Sequence, residues 1–318
     1  LMMIWNYLIM SLVGTVLVLM PVSAKALDPE VLNSLVRIKP NWPLSARGQN
    51  ADGAPRDPQG TGVAILGGGY IATNVHVIGK ATAVDVLTED GRILPASIVG
   101  RDFATDIALL KVNIGLPVIK TASPPALAAP VCAIGNQFGL GLSVTCGVVS
   151  AISRNGTGFN SIEDFIQTDA SINPGGSGGA LVDSESRLVG LVSAIFTKQS
   201  DADIGVNFAT STRLLMRVVE DLKEHGRVIL GVAGFDASVV PPRLLSRYAG
   251  VMVSKVDVQE PAFLAGLEAG DIITHIGGNR MPSQQAFNAE MFIRRPGELV
   301  LFEVRRGDMA LDIEVTLN

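Results

Sequence analysis

Ser177 stands in Asn173-Pro-Gly-Gly-Ser-Gly-Gly-Ala180, with a glycine on each side. A hydroxyl becomes a useful nucleophile where backbone amides converge on the developing oxyanion, and glycines permit the positive φ and close substrate approach that this needs. The amides of Gly175 and Ser177, with Gly176 between them, are the candidate oxyanion hole. Gly-rich segments are also ordinary turns, so the motif needs partners. The chain has three histidines. His225 precedes Gly226 in what reads as the last turn of a helix, where the dipole favours an imidazole, and His275 alternates along a strand. His76 closes Tyr70-Ile-Ala-Thr-Asn-Val-His76, where a strand end can present it to a cleft as a general base. Asp106, in Ala104-Thr-Asp-Ile-Ala-Leu-Leu110, opens an apolar strand and fits the carboxylate that orients an imidazole. Asp102 is the alternative and reads as solvent-facing. Base, carboxylate and nucleophile in this order would perform acyl transfer through a serine ester.

Short strands must hold these residues in place. From residue 60 to about 207 the chain is a series of β-rich runs, such as Gly62-Val-Ala-Ile-Leu66, Ile107-Ala-Leu-Leu-Lys-Val112 and Leu188-Val-Gly-Leu-Val-Ser193, punctuated by Gly, Asn, Asp and Pro. That pattern predicts an all-β sandwich or barrel and not a parallel α/β sheet. The Pro-rich stretch 39–59 reads as a long exposed loop, and 115–130 as the connector at the seam of two β subdomains. Leu214, Leu215, Val218, Val219 and Leu222 predict an amphipathic helix over 211–225, ended by Gly226. After it, strands near 250–256, 271–276, 298–304 and 311–317, with short helices near 261–267 and 283–292, predict one small α+β domain.

Composition sets the class. The 318 residues are 47% hydrophobic and 17% charged with a net charge of -5, which excludes a disordered chain and leaves no basic footprint for nucleic acid. Residues 1–20 carry no charge, Pro21 follows, and Ser23-Ala-Lys-Ala26 offers a small-x-small cleavage site, so 1–26 reads as a signal peptide. An uncleaved membrane anchor is the alternative, and either places the remainder outside the cytoplasm. Cys132 and Cys146 lack zinc-site spacing; they lie on runs that could form neighbouring strands and are read as reduced, small apolar side chains, with a cross-strand bridge in an oxidising compartment the alternative. No metal or cofactor site is expected.

The segments Thr73-Asn-Val-His-Val77, Asp102-Phe-Ala-Thr-Asp-Ile-Ala-Leu-Leu-Lys-Val112, Ile134-Gly-Asn-Gln-Phe-Gly-Leu140 and Gln167-Thr-Asp-Ala-Ser-Ile-Asn-Pro-Gly-Gly-Ser-Gly-Gly-Ala-Leu-Val182 closely resemble the HtrA (Deg) family of exported serine proteases. Leu230-Gly-Val232, with Pro261-Ala-Phe-Leu-Ala-Gly-Leu-Glu-Ala-Gly-Asp-Ile-Ile273, resembles the PDZ domain that follows the protease in many members. The resemblance implies a chymotrypsin/trypsin-like double β-barrel over 27–226 and a PDZ domain over 227–318. It implies ATP-independent cleavage of unfolded or damaged proteins in the periplasm, a homotrimeric core and binding of C-terminal peptides. His76, Asp106 and Ser177 take the family's triad positions, and Gly176 replaces the family's usual Asn. Ser171, where a carboxylate would select Arg or Lys, with Ile172, Ile195 and Phe196, matches the primary pocket and implies cleavage after small aliphatic residues; barrel core is the other reading of Ile195 and Phe196. Ile229, Leu230, Gly231 and Val232 would receive a peptide carboxylate, and Phe287 and Met291 either wall that groove or pack the core. A non-proteolytic PDZ scaffold with a protease fold held inactive is the competing function.

Overall fold

The structure is a computed structural model that describes residues 26–41, 59–195, 205–241 and 249–318. The expected leader, up to Lys25, and residues 42–58 of the expected loop lie outside these; Lys39 and Pro40 end a strand. Among the described residues no helix is long and apolar enough to cross a membrane.

Six antiparallel strands close a first barrel in the order β1-β2-β3-β6-β5-β4. They are β1 (Leu35–Pro40), β2 (Gly60–Leu66), β3 (Tyr70–Asn74), β4 (Val84–Thr88), β5 (Ile93–Asp102) and β6 (Ile107–Lys111). Ile38, Ile71, Val86, Ala108 and Leu110 fill its interior. A second barrel closes in the order β10-β11-β12-β9-β8-β7. Its strands are β7 (Pro130–Gly135), β8 (Ser143–Arg154), β9 (Phe165–Thr168), β10 (Ala180–Asp183), β11 (Leu188–Ile195) and β12 (Asn207–Ser211). Closure pairs every strand on both sides, so neither barrel leaves a free edge. The Pro-rich segment 112–129 joins the two, where the sequence placed the seam.

The barrels meet along a shared apolar layer in which Val63 and Leu109 face Ile134 and Leu191. Helix α1 (Val75–Ile78) is a single turn after β3. Helix α2 (Thr212–His225) lays Leu214, Leu215, Val218 and Leu222 on the shared layer. Ser211 Oγ accepts from the Leu214 amide at 3.2 Å to start it, and Gly226 at φ 69° stops it where the sequence predicts the end.

The C-terminal domain is a sheet ordered β13-β14-β15-β17-β18, with β16 beside β15. Its strands are β13 (Phe235–Val239), β14 (Val251–Val256), β15 (Ile272–Ile276), β16 (Asn279–Arg280), β17 (Leu299–Arg306) and β18 (Met309–Thr316). Helix α3 (Pro261–Leu264) and helix α4 (Gln284–Phe292), capped by Ser283, complete it. Phe287 stacks edge-on to Phe235, which favours the core reading of that residue.

The domain is fastened to α2 through a buried charge. Arg217, 5% exposed, donates to the carbonyls of Ile293 at 2.9 Å and Ile229 at 2.5 Å and pairs with Asp221 at 2.5 Å. Asp221 also accepts from the Ile229 amide at 2.7 Å, and Phe292 packs into the α2 layer. Burial pushes the Asp221 carboxyl up, but its bonds to Arg217 and the Ile229 amide outweigh this and hold it below the ordinary carboxylate value.

One expectation about the fold is corrected. Cys132 and Cys146 are direct partners in the β7–β8 ladder, with Cα atoms 4.0 Å apart, and they form a disulfide. The sequence showed two pairable runs but not their register, and a single-residue slip would have put the thiols on opposite faces.

Because the folded-state value of Asp221 is lowered, its contribution to stability is complete above the unfolded carboxylate value of about 4 and is lost as pH falls through the lowered value. Asp221→Asn is expected to cost about 3 kcal/mol at pH 7 and to weaken the acid dependence of stability; denaturant melts at pH 7 and in acid check both.

Candidate active site

Asp106 is the last residue of the turn between β5 and β6 and adopts φ 60°. This left-handed conformation is unusual for a non-glycine residue and marks a position fixed by its surroundings. Its carbonyl accepts from the Val75 amide at 3.0 Å and from Asn74 Nδ2 at 3.1 Å. Its carboxylate then faces α1: Oδ1 accepts from the His76 amide at 2.9 Å, and Oδ2 lies 2.5 Å from His76 Nδ1. The carboxylate is mostly covered, at 16% exposure, whereas His76 is 50% exposed. A carboxylate on Nδ1 selects the tautomer that leaves Nε2 as the basic atom, on the open side of the ring. Asp102 is half-buried, not solvent-facing, and its Oδ2 holds Thr105 within the same turn.

Ser177 comes from the other barrel, on the loop before β10. Thr61 ties that loop down. Its amide donates to the Ser177 carbonyl at 2.9 Å, and its Oγ1 donates to the Gly175 carbonyl at 2.8 Å while accepting from the Asn136 amide at 2.9 Å. Thr73 Oγ1 donates to the Thr61 carbonyl at 2.7 Å. Thr61, Thr73 and Asn74 are fully buried. Gly178, at φ 80°, lies so close that a Cβ there would overlap the Thr61 carbonyl oxygen and Thr73 Oγ1.

The Pro174 carbonyl accepts from the Phe138 amide at 2.7 Å. A trans peptide sets its N–H opposite its carbonyl, so this bond turns the Gly175 amide away from the Phe138 loop. The amides of Gly175 and Ser177 have no partner among the described residues. The Gly176 amide is occupied by the Asn173 carbonyl at 2.9 Å, which removes it from the expected hole. Gly176 is also outside the positive-φ set, so the absence of a side chain there is not demanded by the backbone.

Ser177 Oγ is 3.5 Å from the Ser193 carbonyl, and no hydrogen bond joins it to His76 among the described residues. Ser193 sits where the β11–β12 register shifts, and its hydroxyl is 3.4 Å from Asn74 Nδ2. Ser193, Asn74 and Thr61 were not singled out from the sequence. The signal available was a polar residue inside an otherwise apolar strand run, at Thr61 beside Gly62-Val-Ala-Ile-Leu66 and at Ser193.

Ser171 is exposed, and its carbonyl accepts from Thr145 Oγ1 at 2.5 Å and Gln137 Nε2 at 3.4 Å. Ile172 is 2% exposed within the second-barrel core, beside Gly176. Ile195 pairs its backbone with Asn207, and Phe196 lies outside the described residues.

Three of the four amides expected to receive a peptide carboxylate are engaged within the fold. The amides of Ile229, Gly231 and Val232 are already bonded to Asp221, the Arg294 carbonyl and the Asn318 carbonyl. Of the four residues only Leu230 keeps an unpartnered amide. Further on, the Ala233 and Gly234 amides have no partner among the described residues, and Gly234 adopts φ 77° against Glu260.

Residues 60–191 match the trypsin-like peptidase domain family and 202–317 the PDZ domain family. The serine endoprotease DegS of Salmonella typhimurium is 37% identical over 273 residues, which cover 81% of this chain and 76% of that protein. The solved structure of the HtrA-type protease AlgW with tripeptide superposes with a TM-score of 0.69 at 33% identity, over 90% of this chain and 94% of that one. This chain belongs to the HtrA family of serine endoproteases. The more distant HtrA relative DegP of Escherichia coli, a periplasmic serine endoprotease, is 34% identical over 290 residues, 87% of this chain and 61% of its own length. The relatives are named proteases, and the competing reading as a non-proteolytic scaffold finds no support among them. The PDZ match begins before β12, so it overlaps the last strand of the protease barrel.

Thr61→Val keeps the shape but strands the buried Asn136 amide and Gly175 carbonyl, and is expected to cost about 2–4 kcal/mol and to lower turnover. Gly178→Ala is expected to be worse on both counts; thermal melts and casein hydrolysis on the same samples test the pair.

Proposed function

We propose that His76, Asp106 and Ser177 are the catalytic triad of an exported endoprotease acting on unfolded polypeptides. The observation that carries this is the double grip of the Asp106 carboxylate on the His76 amide and Nδ1. His76 Nε2 takes the Ser177 proton as Oγ attacks the scissile carbonyl, and returns it to the leaving amine; Asp106 stabilises the imidazolium between the two steps. The Gly175 and Ser177 amides receive the oxyanion. Attack requires the Ser177 hydroxyl to turn from the Ser193 carbonyl to His76, so substrate binding completes the site.

The absence of a carboxylate at Ser171 supports cleavage after small or medium aliphatic residues, with broad selection because one methylene is worth only ~1–3 kcal/mol. We assign 27–226 to the protease and 227–318 to the PDZ domain, whose Ala233 and Gly234 amides would take the carboxylate of a C-terminal peptide while β13 takes its strand. AlgW has been solved with a decapeptide and with a tripeptide, which supports a peptide ligand for this chain as well. The periplasmic setting of DegP, with the apolar N-terminal segment and Ala-Lys-Ala26, supports export and either removal of that segment or anchoring by it. A homotrimer is the assembly that the family resemblance implies.

Casein degradation tests the core of this reading. Ser177→Ala is expected to reduce turnover by roughly 10⁴ to 10⁶-fold, and a hydrophobic C-terminal peptide to raise the activity of the unaltered protein. Undiminished cleavage by Ser177→Ala would refute the assignment.

A further inference from the structure

The turn that carries Asp106 is braced by a second loop from the opposite barrel. Residues 155–163, within the connection from β8 to β9, reach back to β5–β6 at two points. Asn160 Nδ2 donates to the Thr105 carbonyl at 3.2 Å, and the Ile162 amide donates to the Ala104 carbonyl at 2.9 Å. These carbonyls belong to the two residues just before Asp106, whose left-handed backbone aims its carboxylate at His76.

The bracing loop has no regular structure of its own and is wrapped around one buried carboxylate. Glu163 is 4% exposed. Its Oε2 accepts from the Thr157 amide at 2.7 Å, and its Oε1 accepts from Thr157 Oγ1 at 2.8 Å, the Phe159 amide at 2.8 Å and the Asn160 amide at 3.0 Å. No cation pairs with it among the described residues. A buried charge without a counter-ion is tolerated where donors converge on it, so the loop and the carboxylate define each other. With the Asn160 backbone fixed by Glu163, its side chain is aimed at Thr105.

We propose that Glu163 and Asn160 are positioning residues for the Asp106 carboxylate: Glu163 shapes the 155–163 loop, and Asn160 carries that shape to the turn that sets the angle of Asp106 toward His76. This rests on reading Asp106 as the triad carboxylate. The two residues touch neither substrate nor His76, so their effect must appear in the chemical step and not in binding.

The test is steady-state casein hydrolysis by the full protein, with the rate of fluorophosphonate labelling of Ser177 as an independent readout of the nucleophile. Asn160→Ala removes only the strut to Thr105 and leaves the Glu163 bonds to the backbone in place. It is expected to lower kcat by about 10- to 100-fold, the scale of a sub-ångström to ångström misplacement, with KM unchanged and labelling slowed in proportion. Glu163→Ala is expected to do the same. Glu163→Gln, whose carbonyl oxygen can keep the three bonds made at Oε1, restores most of the turnover. Asp106→Asn is the reference. Wild-type kcat in Asn160→Ala beside a dead Asp106→Asn would overturn the proposal alone. Wild-type kcat in Asp106→Asn would overturn the triad reading and the proposal with it. A loss in Glu163→Ala that vanishes at temperatures where melts show it fully folded would reduce Glu163 to a stabilising role and also overturn the proposal.

Discussion

Everything in the cleft depends on how Thr61 of the first barrel grips the serine loop of the second. A serine and a histidine on separate barrels cannot be held to hydrogen-bonding tolerance by apolar packing alone, because the hydrophobic effect has no direction. Directional bonds must cross the seam, and here one buried threonine supplies three: backbone to Ser177, hydroxyl to Gly175, and acceptance from Asn136. Gly178 follows from the same approach, since the two backbones come so close that no side chain fits between them. Asn74 does the corresponding work behind His76, reaching both the Asp106 carbonyl and Ser193.

The residues proposed to do the chemistry stand out in the sequence because their types are scarce. Only three histidines compete for the role of base, and a serine flanked by glycines has few alternatives. The strand runs, the α2 helix with its glycine stop, and the connector near 115–130 were legible because periodicity and turn chemistry are local signals. What stayed hidden was non-local. Thr61 and Ser193 look like ordinary strand residues until the second barrel is placed beside the first. The Cys132–Cys146 bridge needed a register that period-two alternation does not number. The amides of Ile229, Gly231 and Val232 look free in sequence, and only the fold shows them bonded to Asp221, Arg294 and Asn318.

The oxyanion loop shows the same division. Glycine at 175 and 178 is required by positive φ and crowding, whereas Gly176 has an ordinary φ and its main constraint is the nearby Asn173 carbonyl. The three looked equivalent in sequence, yet they serve as an open donor, a turn closed by Asn173, and a contact point for the other barrel.

The joint between the domains carries a mechanical consequence. The Arg217 guanidinium holds Asp221 and carbonyls on both the linker and the C-terminal domain at once, in a place where water does not reach. A small displacement of the PDZ domain would leave that cation buried with some of its partners gone, which costs more than either the docked or the fully hydrated arrangement. The joint therefore resists small displacements of the domain from its seat on α2 more strongly than apolar packing alone would.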